Sequence, residues 1–406
     1  GRLSFIFREK NFEDFFKTLP ADSIPKYQPD PQFQDTSWID KKSHLGRLEL
    51  QYLNDGRTID SRWQYRVASE LQAFQEKVFL YVGENNGNYR WDEQLQEYVP
   101  DANGDYLLVV LPSGKFESVT NVEASWQIRY RPKGDNRGYK GLENIWRNIS
   151  LFSSLKVDER SREPDIWQLY LLNFEKFRNV SFTVHGLYVI DQDVYFFERN
   201  PNFGITLRSR YRDNLSNEFL DSGFNETRRS WDRSISWRQS IIAKKLSQEL
   251  EYQLNEVFRK VASIPSRGRD ILGHILALTL NYRPVYAWQI QGRIEGALQD
   301  DRAIENLLKV GYIEFRPQIN YAVASRARVQ LSLSSLNVWI LENRFDRPLP
   351  FEMAKGKKEG FSWLGNFRFE YFISTNITTT FNFSGRRDAG ALRTIYIGQA
   401  EVRAFF

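Results

Sequence analysis

Apolar and charged side chains alternate with a period of two, in runs of about ten residues that recur through the C-terminal half. In residues 203–212, Phe203, Ile205, Leu207 and Tyr211 share one side, while Thr206, Arg208, Arg210 and Arg212 share the other. Successive side chains of a β-strand point to opposite faces, so such a run is a strand with one greasy and one charged face. The pattern returns over 246–255, 286–296, 313–321, 363–373 and 377–384. In 286–296, for instance, Tyr286, Trp288, Ile290 and Ile294 oppose Gln289, Gln291, Arg293 and Glu295. A soluble strand averages about five or six residues, whereas a tilted strand crossing a bilayer needs about nine to eleven.

The connections sharpen the choice. Tight turns fall near 200 (Asn200, Pro201, Asn202), 243 (Ala243, Lys244), 284 (Arg283, Pro284), 323 (Val323, Ala324) and 375 (Thr375, Asn376). Longer polar loops are expected over 213–230, 256–270, 297–309, 337–360 and 385–393. Short and long connections alternate, as in transmembrane barrels with short turns at one end and long loops at the other. The spacing between tight turns also suits a propeller blade, but each period holds two long strands and no Gly-His or Trp-Asp signature recurs. A soluble sandwich of amphipathic strands is the remaining alternative.

Composition agrees. Of 406 residues 26% are charged, and mean hydropathy is −0.55, with no apolar window long enough for a membrane helix. There is no cysteine, and His44, His185 and His274 are too scattered for a metal motif. The net charge of +5 is spread along the chain, which argues against nucleic acid as a partner. The opening GRLSFIF lacks a signal pattern, so a mature or truncated product is expected.

Four polar residues interrupt the apolar faces: Arg233, Gln239, Gln248 and His274. All are expected near strand ends, where headgroups tolerate them. Tyr282, Tyr286, Trp288, Tyr321 and Trp363 also fall near strand ends, as interfacial girdles would. In the N-terminal third, 46–54, 61–70, 121–131 and 145–157 read as further strands. Residues 72–120, with short strands over 77–82 and 105–111 and turn signals at Asn86-Gly87 and Asn103-Gly104, read as a β-rich insertion forming an outside loop or a plug. Residues 9–45 read as a long loop.

In the last segment, TIYIGQAEVRAFF, Ala400, Val402, Ala404 and Phe406 share a face opposite Gln399, Glu401 and Arg403. This resembles the β-signal that outer-membrane barrels present to their assembly machinery. The whole resembles the C-terminal barrels of large, poorly characterised bacterial envelope proteins. That resemblance implies a bacterial outer-membrane location, with lipid and the assembly machinery as partners; it carries no ligand or catalytic residue.

The expected fold is therefore all-β: one closed antiparallel transmembrane β-barrel of about sixteen strands over residues 1–406. Its polar faces line the interior. Arg208, Arg210 and Arg212 form the densest basic run and are the first candidates for substrate contact, with Arg238, Arg293, Glu249 and Glu251 beside them. Rings of arginine favour anions; the competing reading is that Arg and Glu on neighbouring strands pair and rigidify the wall. Asp101–Asp105 resembles the start of a calcium loop, but the position of the bidentate acid is Pro112. No Gly-x-Ser-x-Gly, His-Glu-x-x-His or phosphate-loop pattern occurs, and an isolated His185 is weak ground for catalysis. The expectation is a conduit for small, anionic solutes, not an enzyme, with no cofactor. The rival is a plugged barrel anchoring a surface or export complex through a surface or periplasmic partner.

Overall fold

The computed structural model describes residues 2–10, 41–93, 96–132, 147–170, 177–221, 224–262, 264, 267–303, 307–323 and 326–404. All eighteen strands lie in one sheet. In chain order they are β1 (Arg2–Lys10), β2 (Lys41–Leu53), β3 (Ile59–Tyr81), β4 (Gly87–Asp92), β5 (Glu97–Gly104), β6 (Tyr106–Tyr130), β7 (Ile149–Ser161), β8 (Thr183–Phe196) and β9 (Phe203–Ser216). Then follow β10 (Glu226–Ile242), β11 (Leu246–Lys260), β12 (Arg269–Tyr282), β13 (Trp288–Asp301), β14 (Leu308–Val323), β15 (Ala327–Asn343), β16 (Gly360–Phe372), β17 (Ile377–Arg387) and β18 (Ile395–Ala404). One short helix, α1 (Ile166–Tyr170), interrupts the β-structure between β7 and β8.

Pairing is antiparallel and sequential, except that β3 pairs with β6 across the β4–β5 hairpin. With that hairpin set aside, sixteen strands form the wall, which matches the expected number. The expected closure is not seen: among the described residues no register joins β1 to β18, and both remain edges. There is one sheet rather than two packed face to face, so the chain is not a sandwich.

The register puts the predicted apolar set on one continuous face. Leu207 opposes Ile235, Ile235 opposes Tyr252 and Tyr252 opposes Leu276. Ile294 opposes both Leu278 and Phe315, and Phe367 opposes Leu331 and Phe383. None of the described residues packs over most of this face; Leu276, Ile294, Ile313 and Leu331 are about half exposed. A monomeric soluble protein rarely exposes a contiguous apolar patch above a few hundred Å²; this one wraps the sheet. Trp63 stacks on Trp126 (5.1 Å) and Trp288 lies against Tyr321 (4.4 Å), forming an aromatic row near the tight turns.

The polar interruptions find one another. Gln248 Nε2 donates to Gln239 Oε1 (3.4 Å), and the Tyr252 hydroxyl meets His274 Nδ1 (2.7 Å). Arg233 lies mid-strand rather than at the expected strand end. Its guanidinium covers the Trp231 ring (4.0 Å) and pairs with Glu256. Both partners lie toward the long-loop end, so the side chain snorkels upward out of the apolar band.

The tight turns fall where expected, with Lys244 left-handed (φ 63) in the β10–β11 turn; residues 324–325 of the β14–β15 turn lie outside the described set. The strands run further toward the loop end than expected. β10 begins at Glu226 and β15 ends at Asn343, which shortens the loops placed at 213–230 and 337–360. Above an apolar band both faces meet water, so alternation fades although the ladder continues. The loop expected over 9–45 lies outside the described residues at 11–40.

Residues 72–120 are not a separate insertion. β3 and β6 continue through them from Ala73↔Phe116 to Tyr81↔Tyr106 as a two-stranded arm, with a slip between Ala73 and Gln75, and the arm carries the β4–β5 hairpin. Gly87 and Gly104 do not form the expected hairpin turns. They pair with each other where the hairpin's base crosses the arm. A Cβ on Gly104 would lie 2.1 Å from the Tyr89 carbonyl oxygen, and one on Gly87 2.3 Å from that of Tyr106, so only glycine fits.

Candidate functional site

The inner face is a charge lattice built on a simple local rule. An arginine and an acid two residues apart on one strand point the same way, and they pair: Arg47 with Glu49, Arg62 with Asp60 (3.1 Å), Arg293 with Glu295 (3.0 Å) and Arg316 with Glu314 (3.1 Å). Arg368–Glu370, Arg386–Asp388 (2.5 Å) and Arg403–Glu401 (2.7 Å) repeat it. Cross-strand pairs add to this: Arg66–Glu123 (3.3 Å), Arg208–Asp193 (3.1 Å) and Arg293–Glu251 (3.3 Å). Most inward charge is therefore neutralised within the wall, by pairs both along and across the strands.

The expected substrate contacts separate on this basis. Arg208 is held by Asp193, and Arg293 bridges Glu251 and Glu295. Arg238 donates to the Asn200 carbonyl (3.2 Å) by the tight turns, directly opposite Glu249 in the register. Arg210 is exposed to the lumen between Asp191 and Asp232, its register partners, without an ion pair. Arg212 faces Val189 and Ser230, and no described carboxylate reaches it. Arg228, which the basic run did not include, lies diagonally across from Arg212. It faces Asn214 and Arg259 and is likewise exposed and without a described acidic partner. Arg283 sits in the β12–β13 turn and not on the inner wall.

Two elements fold across the polar face at its long-loop end. The first is a strap, residues 344–359, between β15 and β16. It folds inward against the polar face, and Met353 and Ala354 are fully buried among Ile271, Ala297, Val310, Leu336 and Val338. The backbone is left-handed at three successive residues, Ala354 (φ 47), Lys355 (φ 58) and Gly356 (φ 72). Left-handed geometry costs a non-glycine residue about 1–2 kcal/mol, so the contacts must hold it. They do: Ala354 N donates to Gln299 Oε1 (2.7 Å), Lys355 pairs with Glu295 and Glu314, and Glu352 pairs with Arg259 (3.2 Å). The Tyr312 hydroxyl and Arg316 complete the partners of Glu295.

The second element is the arm and its hairpin. From Ser69 to Tyr81 the arm is about 40 Å long at ~3.3 Å per residue. Near its root Gln72 donates to Glu218 (3.4 Å), Leu220 N donates to the Gln75 carbonyl (3.1 Å) and the Lys77 ammonium covers the Phe219 ring (4.2 Å). Glu117 pairs with Arg162. The hairpin then reaches the far wall. Asp101 pairs with Arg386 on β17 (2.8 Å) and with Arg90 (3.2 Å), Asp92 meets Lys358 of the strap (3.8 Å), and Glu97 meets Arg267 between β11 and β12 (3.3 Å). Asp101, the first residue of the calcium-like stretch, is thus an arginine clamp. A cavity of about 580 Å³ lies between hairpin and strap, lined by Arg90, Asp92, Val99, Arg347, Phe351 and Lys358.

His185 faces inward opposite Ser216, with Nδ1 3.9 Å from Glu218. The Ser216 hydroxyl is directed at Glu218 (3.5 Å), not at the imidazole, and Glu218 also takes the arm's Gln72. The trio is a clasp for the arm rather than a proton relay, which needs hydrogen-bond reach between nucleophile and base. Arg228, Lys355 and the Asp101–Arg386 pair escaped the sequence reading. Only the Arg386-x-Asp388 spacing left a local signal.

No family model and no curated protein matches this sequence. Solved structures similar to it include the outer membrane channel DcaP of Acinetobacter baumannii, at 7% identity and TM-score 0.39, over 87% of this chain and 99% of that one. The FrpB iron transporter from Neisseria meningitidis matches at 10% identity and TM-score 0.39, over 89% of this chain and 64% of its own length. OmpT of Vibrio cholerae matches at 8% identity and TM-score 0.31, over 83% and 89%.

Proposed function

We propose that the chain is a bacterial outer-membrane β-barrel that conducts small, anionic solutes, its mouth gated by the hairpin and strap. The carrying observation is the contrast between the two faces of one sheet. One face is apolar, girdled by aromatics and largely uncovered by the described residues; the other is a largely paired charge lattice in which exposed Arg212 and Arg228 belong to no described ion pair. Backbone at an open sheet edge cannot persist in lipid, so β1 and β18 pair in the membrane. With sixteen wall strands running alternately up and down, these two edges are antiparallel, and a barrel of that size leaves an aqueous channel. The outward Ala400, Val402 and Ala404 of β18, followed by Phe406 beyond the described residues, would be the surface offered to the assembly machinery.

Planar-bilayer conductance tests this. Discrete steps with a reversal potential displaced toward the anion are expected, and Arg212→Glu with Arg228→Glu reverses the displacement. A protein that inserts without conducting, even with the hairpin released, overturns the conduit. The second reading would then apply: a plugged anchor for a larger surface or export assembly. The hairpin's contacts with β17, the strap and the β11–β12 connection favour that reading.

A further inference from the structure

The described parts of the segment between β7 and β8 pack on the outside of the wall. The register places Val67, Val122 and Val157 on the apolar outer face, and Leu169 of α1 and Phe177 pack on them, with Leu169 fully buried. The Tyr65 hydroxyl donates to the Tyr170 carbonyl (2.9 Å). Tyr65 is six residues above the tight-turn end of β3 and Val157 eight above that of β7. At ~3.3 Å per residue and a tilt of about 40° this is about 15–20 Å, within an apolar band about 25 Å tall. Beneath the flap lie two outward-facing carboxylates with no solvent exposure. Asp213 takes Arg178 of the flap (2.6 Å), Arg229 (3.0 Å) and the Tyr211 hydroxyl (2.9 Å). Glu159 accepts from the Thr183 hydroxyl (2.5 Å) and the Arg178 backbone N–H (3.2 Å). The flap thus shields acids that the wall would otherwise present to lipid.

The flap's own outer side chain is Trp167, 71% exposed and edge-on to Tyr170 (5.7 Å). A five-residue helix offers far less than the roughly 800 Å² per partner that a stable protein interface buries. An indole bared on the outer side of an apolar wall is the kind of side chain that settles among headgroups. We propose that α1 is an interfacial anchor: Trp167 seats the flap in the outer-leaflet lipid, and this holds the cover over Glu159 and Asp213. The inference rests on the membrane reading above.

The absence of cysteine makes the test direct. Single-cysteine variants of the full chain, Trp167→Cys, Ile294→Cys (in the band) and Leu392→Cys (97% exposed, in the β17–β18 turn), are labelled with a small fluorophore and reconstituted in phosphatidylcholine vesicles. The vesicles carry nitroxide either at the headgroup or deep in the acyl chain. The expected result is loss of emission at Ile294 with the deep quencher, at Trp167 with the headgroup quencher, and at Leu392 with neither. A Trp167 label as unquenched as Leu392, with Ile294 quenched, overturns the anchor alone. An unquenched Ile294 overturns the membrane reading and the anchor with it. If Trp167→Cys fails to fold, the difference in brominated-lipid quenching between the native chain and Trp167→Phe gives the same answer.

Discussion

Cutting the Arg386–Asp101 clamp should open the mouth, and the structure sets the size of the effect. The pair is a charge-assisted hydrogen bond at 2.8 Å between side chains only 11% and 15% exposed. Such bonds contribute about 1.5–3 kcal/mol. Neither partner is left alone by Arg386→Gln, since Asp101 keeps Arg90 (3.2 Å) and Asp388 keeps Lys357 (2.6 Å). The cost therefore sits near the lower end, about 1.5 kcal/mol, or roughly a tenfold shift of the closed-to-open ratio. Asp101→Asn should act alike, and the double variant should cost less than the sum of the two, because they share the Asp101–Arg386 bond while each loses one further pair, Asp101–Arg90 or Arg386–Asp388. Two assays read it: single-channel open probability, and the rate at which a water-soluble maleimide labels Val99→Cys. Val99 is 4% exposed in the hairpin, so the label reaches it only when hairpin and strap part. Both should rise about tenfold together. If labelling at Val99 is unchanged while the variants fold normally, the hairpin is not latched by this pair and the gating argument fails.

Other consequences follow from the same contacts. Lys355→Met removes the cation shared by Glu295 and Glu314, which are 6% and 7% exposed. Arg293 and Arg316 remain, so the loss should be about 2 kcal/mol rather than the ~3–5 of a fully stranded charge, read as a lower unfolding midpoint in lipid. Replacing Gln239 and Gln248 together by Leu on the lipid-facing side should stabilise by about 1 kcal/mol, while either change alone strands an amide and gains nothing; strictly additive single effects would refute their coupling. Burial alone would push the Asp388 carboxyl up, but the Lys357 ammonium and the Arg386 guanidinium beside it hold it below the ordinary aspartate range. Its latch is then complete above the unfolded aspartate value, about 3.9, and is lost as pH falls through the lower folded value. Conductance recorded from neutral pH downward should show the mouth loosening only in that acidic window, and Asp388→Asn should abolish the dependence.

The wall was legible because its physics is local. A strand with lipid on one side and water on the other must alternate, and residues 286–296 or 313–321 state that in their own sequence. Legibility ended where the constraint ended. Above the band β10 and β15 keep their ladders without alternating, so the strand ends were set too low. The arm was read as an insertion for the same reason: over 72–120 β3 and β6 face water on both sides, and only their mutual register reveals them as wall strands continued. The strap carried no signal at all. Met353, Ala354 and Lys355 become meaningful only against Ile271, Glu295 and Glu314, which are 39 to 84 residues away in sequence.

Charge followed a rule that sequence could have given. On a strand, an Arg and an acid at i and i+2 share a face, so the pairs Arg47–Glu49, Arg293–Glu295, Arg368–Glu370 and Glu401–Arg403 cancel where they stand. Reading the densest basic run as the substrate contact takes count for field. Arg208 in that run is spent on Asp193, and Arg210 sits between two aspartates. What survives is Arg212, with no acid two residues along its strand or directly across it, and its diagonal neighbour Arg228, whose along-strand acid Glu226 is taken by Arg259. In a wall that neutralises itself so thoroughly, two diagonally adjacent arginines outside any described ion pair stand out more than a long basic run in an unpaired surface would. On the proposed conduit reading, an anion moving along the polar face would meet these two arginines just below the point where the arm and β9 clasp.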